Sequence, residues 1–196
     1  MKKVVIKTAL ITLASIVLAS GIFYGCLCVF APKTLSNFYH NAGNEKLAYS
    51  FAKSTYEKNS CTANLFFVTE RAISAGDEQG IKLYAGKTLE QIKVGAVSAE
   101  TNFVYYIASE YCACLYRGGE KQKAISEAVT FSLGYGKLNP FEKLMALAFE
   151  ANDKQFLQEL SIAISQFKND YFEQLSEEAK TRLTKDQNLI TAYLNR

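Results

Sequence analysis

Tryptophan is absent, histidine occurs once, at His40, and there are only two prolines and two methionines. With a single histidine, a histidine-assisted serine or cysteine nucleophile has only His40 to draw on, and a histidine-built metal centre has no second imidazole. Two prolines and 11 glycines in 196 residues exclude collagen-like and low-complexity chains, while 13% aromatic and 21% charged residues exclude a disordered one. Charge of one sign is also missing from most of the chain. Lys2, Lys3 and Lys7 account for the net charge of +3, which leaves 19 basic against 19 acidic side chains in residues 32–196. A neutral body offers no electrostatic footing for nucleic acid.

Motifs that carry chemistry are missing too. Gly118-Gly119 and Gly134-Tyr135-Gly136 fit neither a GxxxxGK nor a GxGxxG element following a strand, and both read as interhelical turns. Cys112-Ala113-Cys114 with one histidine elsewhere is no zinc spacing. Residues two apart on a helix point about 200° apart, so Cys112 is expected to be buried and Cys114 nearer the surface. Cys61 follows Asn59-Ser60 at an expected helix start and reads as an exposed, inert thiol. No catalytic, cofactor-binding or metal-ligating residue can be nominated, and the expectation is a protein that is not an enzyme and needs no cofactor.

One long apolar run is present. The 25 residues from Thr8 to Pro32 carry no charge, and as a helix they extend about 37 Å, enough to cross a bilayer core of about 30 Å. Lys2, Lys3 and Lys7 precede the run and only Lys33 follows closely, a bias that places the N-terminus inside and the body outside the cytoplasmic membrane. The expected organisation is a cytoplasmic segment 1–7, a transmembrane signal anchor 8–31 and a helical domain 32–196. Cleavage after Ala19-Ser20-Gly21 would leave the apolar stretch Ile22 to Ala31 on the mature end, and cleavage after Val29-Phe30-Ala31 would place Pro32 first. Lipidation would fall on Cys26, where Gly25 suits a lipobox and bulky Tyr24 does not.

From residue 32 onward apolar residues recur at helical spacing, as in Leu65, Val68, Ala72 and Ile73, with no useful strand alternation. An all-α fold is expected. Four similar breakers punctuate it: Ala42-Gly43-Asn44-Glu45, Ala75-Gly76-Asp77-Glu78, Gly118-Gly119-Glu120 and Ala151-Asn152-Asp153. Gly and Asn tolerate the left-handed backbone that ends a helix, and an acidic residue favours the start of the next. The intervals between Gly43, Gly76, Gly119 and Asn152 are 33, 43 and 33 residues, and two of the three match a repeat built from helix pairs.

Over residues 32–167 this pattern resembles the tetratricopeptide (TPR-like) repeat. Ala48 and Ala124 stand five residues beyond a turn glycine, where that family places a small residue at a close helix crossing. The positions nine beyond are Ala52, Ala85 and Ala128, and those twelve beyond are Thr55, Thr88 and Phe131. Cys112 and Thr69 take the small position seven before the turn, with Leu115 and Ala72 three residues further on. Ile81 and Leu157 replace the crossing alanine in the second and fourth pairs, and the family's frequent proline is missing. The resemblance implies a right-handed stack of antiparallel helix pairs. It also implies that the first helix of each pair lines a groove, pointing Phe66, Glu70 and Ile73, then Tyr106, Ser109, Ala113, Tyr116 and Arg117, towards a bound protein or peptide.

The periodicity predicts helices ending near Ala42 and then near 44–58, 60–75, 77–92, 97–117, 120–133, 140–151, 153–168 and 177–195. The membrane helix is expected to run on into the first of these, and the extra residues around Lys93-Val94-Gly95 to lengthen helix 97–117. Asn139-Pro140 and Ser176-Glu177-Glu178 read as capped starts. In the repeat register Cys61 and Cys112 differ by eight helical positions, roughly 12 Å, beyond the reach of a disulfide, so free thiols are expected. The functional expectation is a membrane-tethered protein–protein interaction module in the cell envelope. The alternatives are a structural subunit of an envelope assembly and a secreted or lipidated helical protein.

Overall fold

The computed structural model describes residues 2–96, 99–135 and 139–195, and every regular element among them is a helix. They are α1 (Lys2–Phe30), α2 (Pro32–Asn41), α3 (Glu45–Lys58), α4 (Thr62–Ser74), α5 (Glu78–Gly80), a π-helical turn (Ile81–Ala85) leading into α6 (Gly86–Lys93), α7 (Thr101–Arg117), α8 (Lys121–Tyr135), α9 (Asn139–Glu150), α10 (Lys154–Asp170), a 3₁₀ turn (Phe172–Gln174) and α11 (Glu177–Leu194). The chain divides into two compact units, one ending at Ala75 and the other beginning at Gly76.

The four breakers work as their chemistry dictates. Gly43, Gly76, Gly119 and Asn152 all take left-handed backbone, with φ of 76°, 65°, 80° and 51°. At Gly43, Gly119 and Asn152 the paired bonds of a Schellman motif close the preceding helix, for example Gly119 N–H to the Tyr116 carbonyl at 3.0 Å and Glu120 N–H to the Leu115 carbonyl at 2.8 Å. Asn44, Asp77 and Asp153 then cap the next helix, accepting from the amides of Leu47, Gly80 and Phe156.

In the first unit, the Thr12–Phe30 part of α1 is long and apolar enough to cross a membrane. Its side chains are exposed from Thr12 to Cys26, and cover begins only at Leu27 and Cys28. The expected continuation into α2 does not occur. The helix breaks at Ala31 (φ −137°, ψ 50°), because Pro32 drives the residue before it out of the helical region and itself starts α2. α2 and α3 then pair tightly: Ser36 Oγ donates to the Ala48 carbonyl at 2.7 Å, and Ser36, Ala48 and Ala52 are fully buried. On α4, Leu65, Val68 and Ala72 are buried at the predicted spacing, and Arg71 reaches Asn37 of α2 at 3.1 Å.

The second unit is built around α7, which packs against α8, α9 and the π-helical turn. Ala124 and Ala128 of α8 have no exposed surface, and Ile81, Ala85 and Leu157 at the corresponding steps after the other turns are buried as well. The π turn was not visible in the periodicity. Just after it, Gly86 lies under the Tyr111 ring, where an added Cβ would stand 3.3 Å from the hydroxyl oxygen. The extra residues after Lys93 do not extend α7. Gly95, at φ 69°, closes α6 with its own Schellman bonds, and α7 starts only at Thr101. Val97 and Ser98, where that helix was expected to begin, lie outside the described residues. Gly134 and Tyr135 belong to the last turn of α8 rather than to a turn between helices, while Gly136 is again outside the described residues. α9 starts at Asn139 with Pro140 in its first turn, and Ser176 caps α11 through the Ala179 amide, as their sequences predicted.

Candidate functional site

α7 carries most of the residues expected to line a groove, and its burial sorts them. Tyr106 is 44% exposed, whereas Ser109, Ala113 and Tyr116 are buried and Arg117 is exposed at the C-terminal end. Tyr106 and Arg117 are 11 residues apart, about three helical turns. Tyr116 points elsewhere: its ring packs on Phe156 of α10 with centroids 4.7 Å apart, and its hydroxyl donates to Asp153 at 3.1 Å. Burial first, and then that acceptor, push the Tyr116 hydroxyl up to about 12. In the first unit, Phe66 and Ile73 of α4 are half-buried and Glu70 is exposed.

The turns are laced to one another. Asp153 accepts from Lys121 at 2.6 Å in addition to Tyr116 and its own capping amide, and the Lys121 ammonium leads in holding its carboxyl below the usual range. Arg117 donates to Glu78 at 2.7 Å. Lys82 pairs with Glu120, which raises the ammonium and lowers the carboxyl. Cys114 Sγ donates to the Glu78 carbonyl at 3.2 Å and is buried, contrary to the expectation from the 200° rule. α7 is covered on several sides, so opposite faces of it are inside. Burial raises both the Cys112 and Cys114 thiols, which makes them poor nucleophiles at neutral pH. The described cysteines are all free, with Cys61 exposed. His40 Nδ1 lies 2.9 Å from the Glu45 carboxylate across the first turn.

Helices α7, α9 and α11 form one edge of the second unit. Lys143 of α9 pairs with Glu110 of α7 at 2.8 Å, and Arg182 of α11 pairs with Glu142 of α9. Further along, Tyr193 packs edge-on to Phe149 at 4.8 Å and donates to Asn152. From Glu142–Arg182 to Phe149–Tyr193 the contacts advance in the same direction on both partners, so α9 and α11 run parallel. Tyr106 is exposed one turn before Glu110 on α7, beside the row Glu110–Lys143, Glu142–Arg182. α8 and α10 border a groove of about 530 Å³ whose lining includes Ile125, Val129, Ile162 and Tyr171. Ile162 is 66% exposed. Sequence reasoning passed over it, although it falls off the buried stripe Phe156, Leu157, Leu160, Ile164 and Phe167 of its own helix, which is a legible signal.

In comparisons with known proteins, no family model, no curated protein and no solved structure matches this chain.

Proposed function

We propose that this chain is a membrane-tethered interaction module: a signal anchor over residues 8–31 holding a TPR-like right-handed stack outside the cytoplasmic membrane, where it binds a protein or peptide partner. Three features support the repeat reading: left-handed turn residues at all four breakers, burial of the five- and nine-step residues noted above, and polar contacts between pairs at close to one repeat length. Lys93–Glu127, Glu110–Lys143 and Lys121–Asp153, for example, span 34, 33 and 32 residues. Neighbour-only contacts at a fixed separation are the property of a solenoid.

The observation that carries the binding assignment is the first-helix edge of the second unit. It presents a half-exposed Tyr106 beside alternating charges at Glu110, Lys143, Glu142 and Arg182, a combination of an aromatic anchor and paired charges that suits an extended or helical peptide. Tyr116 acts in this reading from beneath the edge, by fixing the turn through Asp153, and Arg117 is held by Glu78 at its end. The alternative, a structural subunit of an envelope assembly, is favoured by Ile162 on the opposite, second-helix groove. A photo-crosslinking residue placed at position 106 or at position 162 of the full-length protein in membranes separates them. The binding reading expects a discrete adduct from 106; adducts from 162 alone would move the contact to the outer groove and favour assembly.

A further inference from the structure

α1 is longer than a bilayer requires, and the structure uses the excess. Measured from Lys7, a hydrocarbon core of about 30 Å is crossed in about 20 residues, which ends near Leu27. Leu27 and Cys28 are where the first unit begins to cover α1. Lys58 of α3 donates to the Val29 carbonyl at the open end of the helix. More informative is Tyr24, whose hydroxyl meets that of Tyr39 at 2.9 Å. The two tyrosines lie seven residues before and eight residues after Ala31, so α2 turns back towards α1 and the two hydroxyls share one depth near the end of the span.

On this geometry we propose that the α2–α3 hairpin rests in the bilayer surface, with the Phe38 ring seated among the lipid headgroups; the proposal depends on α1 crossing the membrane. Tyr24 and Tyr39 then form the aromatic belt in which amphipathic rings favour the interface. Phe38 packs edge-on to Tyr39 at 5.4 Å, yet it is 63% exposed. In water that ring is solvated apolar surface, and in the interface it is buried beside its neighbour. Lys46, exposed in the first turn of α3 just past the Gly43 turn, is placed to meet anionic phosphates. The occupant of this surface is a lipid bilayer continuous with the one that α1 spans.

Because the chain has no tryptophan, Phe38→Trp and Ile16→Trp each give a single fluorophore in the full-length protein. Both are reconstituted in vesicles of phosphatidylcholine and phosphatidylglycerol, with lipids brominated near the headgroup or deep in the acyl chain. Ile16→Trp, in mid-span, should be quenched by the deep label. Phe38→Trp should emit at shorter wavelength than N-acetyltryptophanamide in water and lose about half its emission to the shallow label, as an interfacial ring would. Quenching of position 16 with a water-like, unquenched position 38 would overturn the proposal and leave the span intact. A position 16 that no lipid quenches would overturn both.

Discussion

Replacing Ala48 with Leu probes the packing at the point where α2 and α3 approach most demandingly. Ala48 has no exposed surface, and its own carbonyl receives the Ser36 hydroxyl at 2.7 Å, so a side chain of α2 is already within hydrogen-bond reach of the α3 backbone. Three further carbon atoms at this Cβ have nowhere to go unless α2 moves. Overpacking of this kind costs roughly 1–3 kcal/mol. If α2 shifts, the Ser36–Ala48 bond breaks with both groups buried, which adds about 1 kcal/mol. The total, about 2–4 kcal/mol, corresponds to a fall in Tm of roughly 4–16 °C for a chain of this size. Thermal unfolding of the full-length protein in detergent, followed by circular dichroism, measures it. Lys46→Leu is the reference, since Lys46 is exposed on the same helix and a surface change of this type stays within about 0.5 kcal/mol. Equal melting of Ala48→Leu and Lys46→Leu would show that the two helices do not cross closely at Ala48.

Two further outcomes follow from the same reasoning. Asp153→Ala removes the cap of α10 together with the acceptor for Tyr116 and Lys121, and should cost about 1–2 kcal/mol at neutral pH. Because the folded state holds this carboxyl below its ordinary value of 3.8, its contribution is complete above that value and is lost as pH falls through the lower, folded one. The parent should therefore lose stability on acidification below about pH 4 more steeply than Asp153→Ala; parallel curves from urea titrations at several pH values would refute the assignment. For topology, a reporter active only outside the cytoplasmic membrane should work when fused after Arg196, and the full-length protein should sediment with membranes. Release of a fragment beginning near Ile22 or Pro32 would show instead that the segment is cleaved.

What could be read without coordinates was local. The uncharged run Thr8 to Pro32, the helical periodicity, and the chemistry of Gly43, Gly76, Gly119 and Asn152 depend on each residue's own backbone preferences and near neighbours, so helix boundaries were predicted to within a few residues. The burial of Ala48 and Ala124 was also legible, because small residues repeat at a fixed step from each turn. Tertiary structure decided what depends on surroundings from elsewhere in the chain. Cys114 is inside because α7 is enclosed on several sides, and Tyr116 turns to Phe156 and Asp153, residues 40 and 37 positions away. The π turn beside Gly86 goes with the Tyr111 ring lying across it, again a partner distant in sequence. The break at Ala31 had its local cause in Pro32, but the turning back of α2 towards α1, with Tyr39 brought to Tyr24, was fixed only when the two hydroxyls met across the turn.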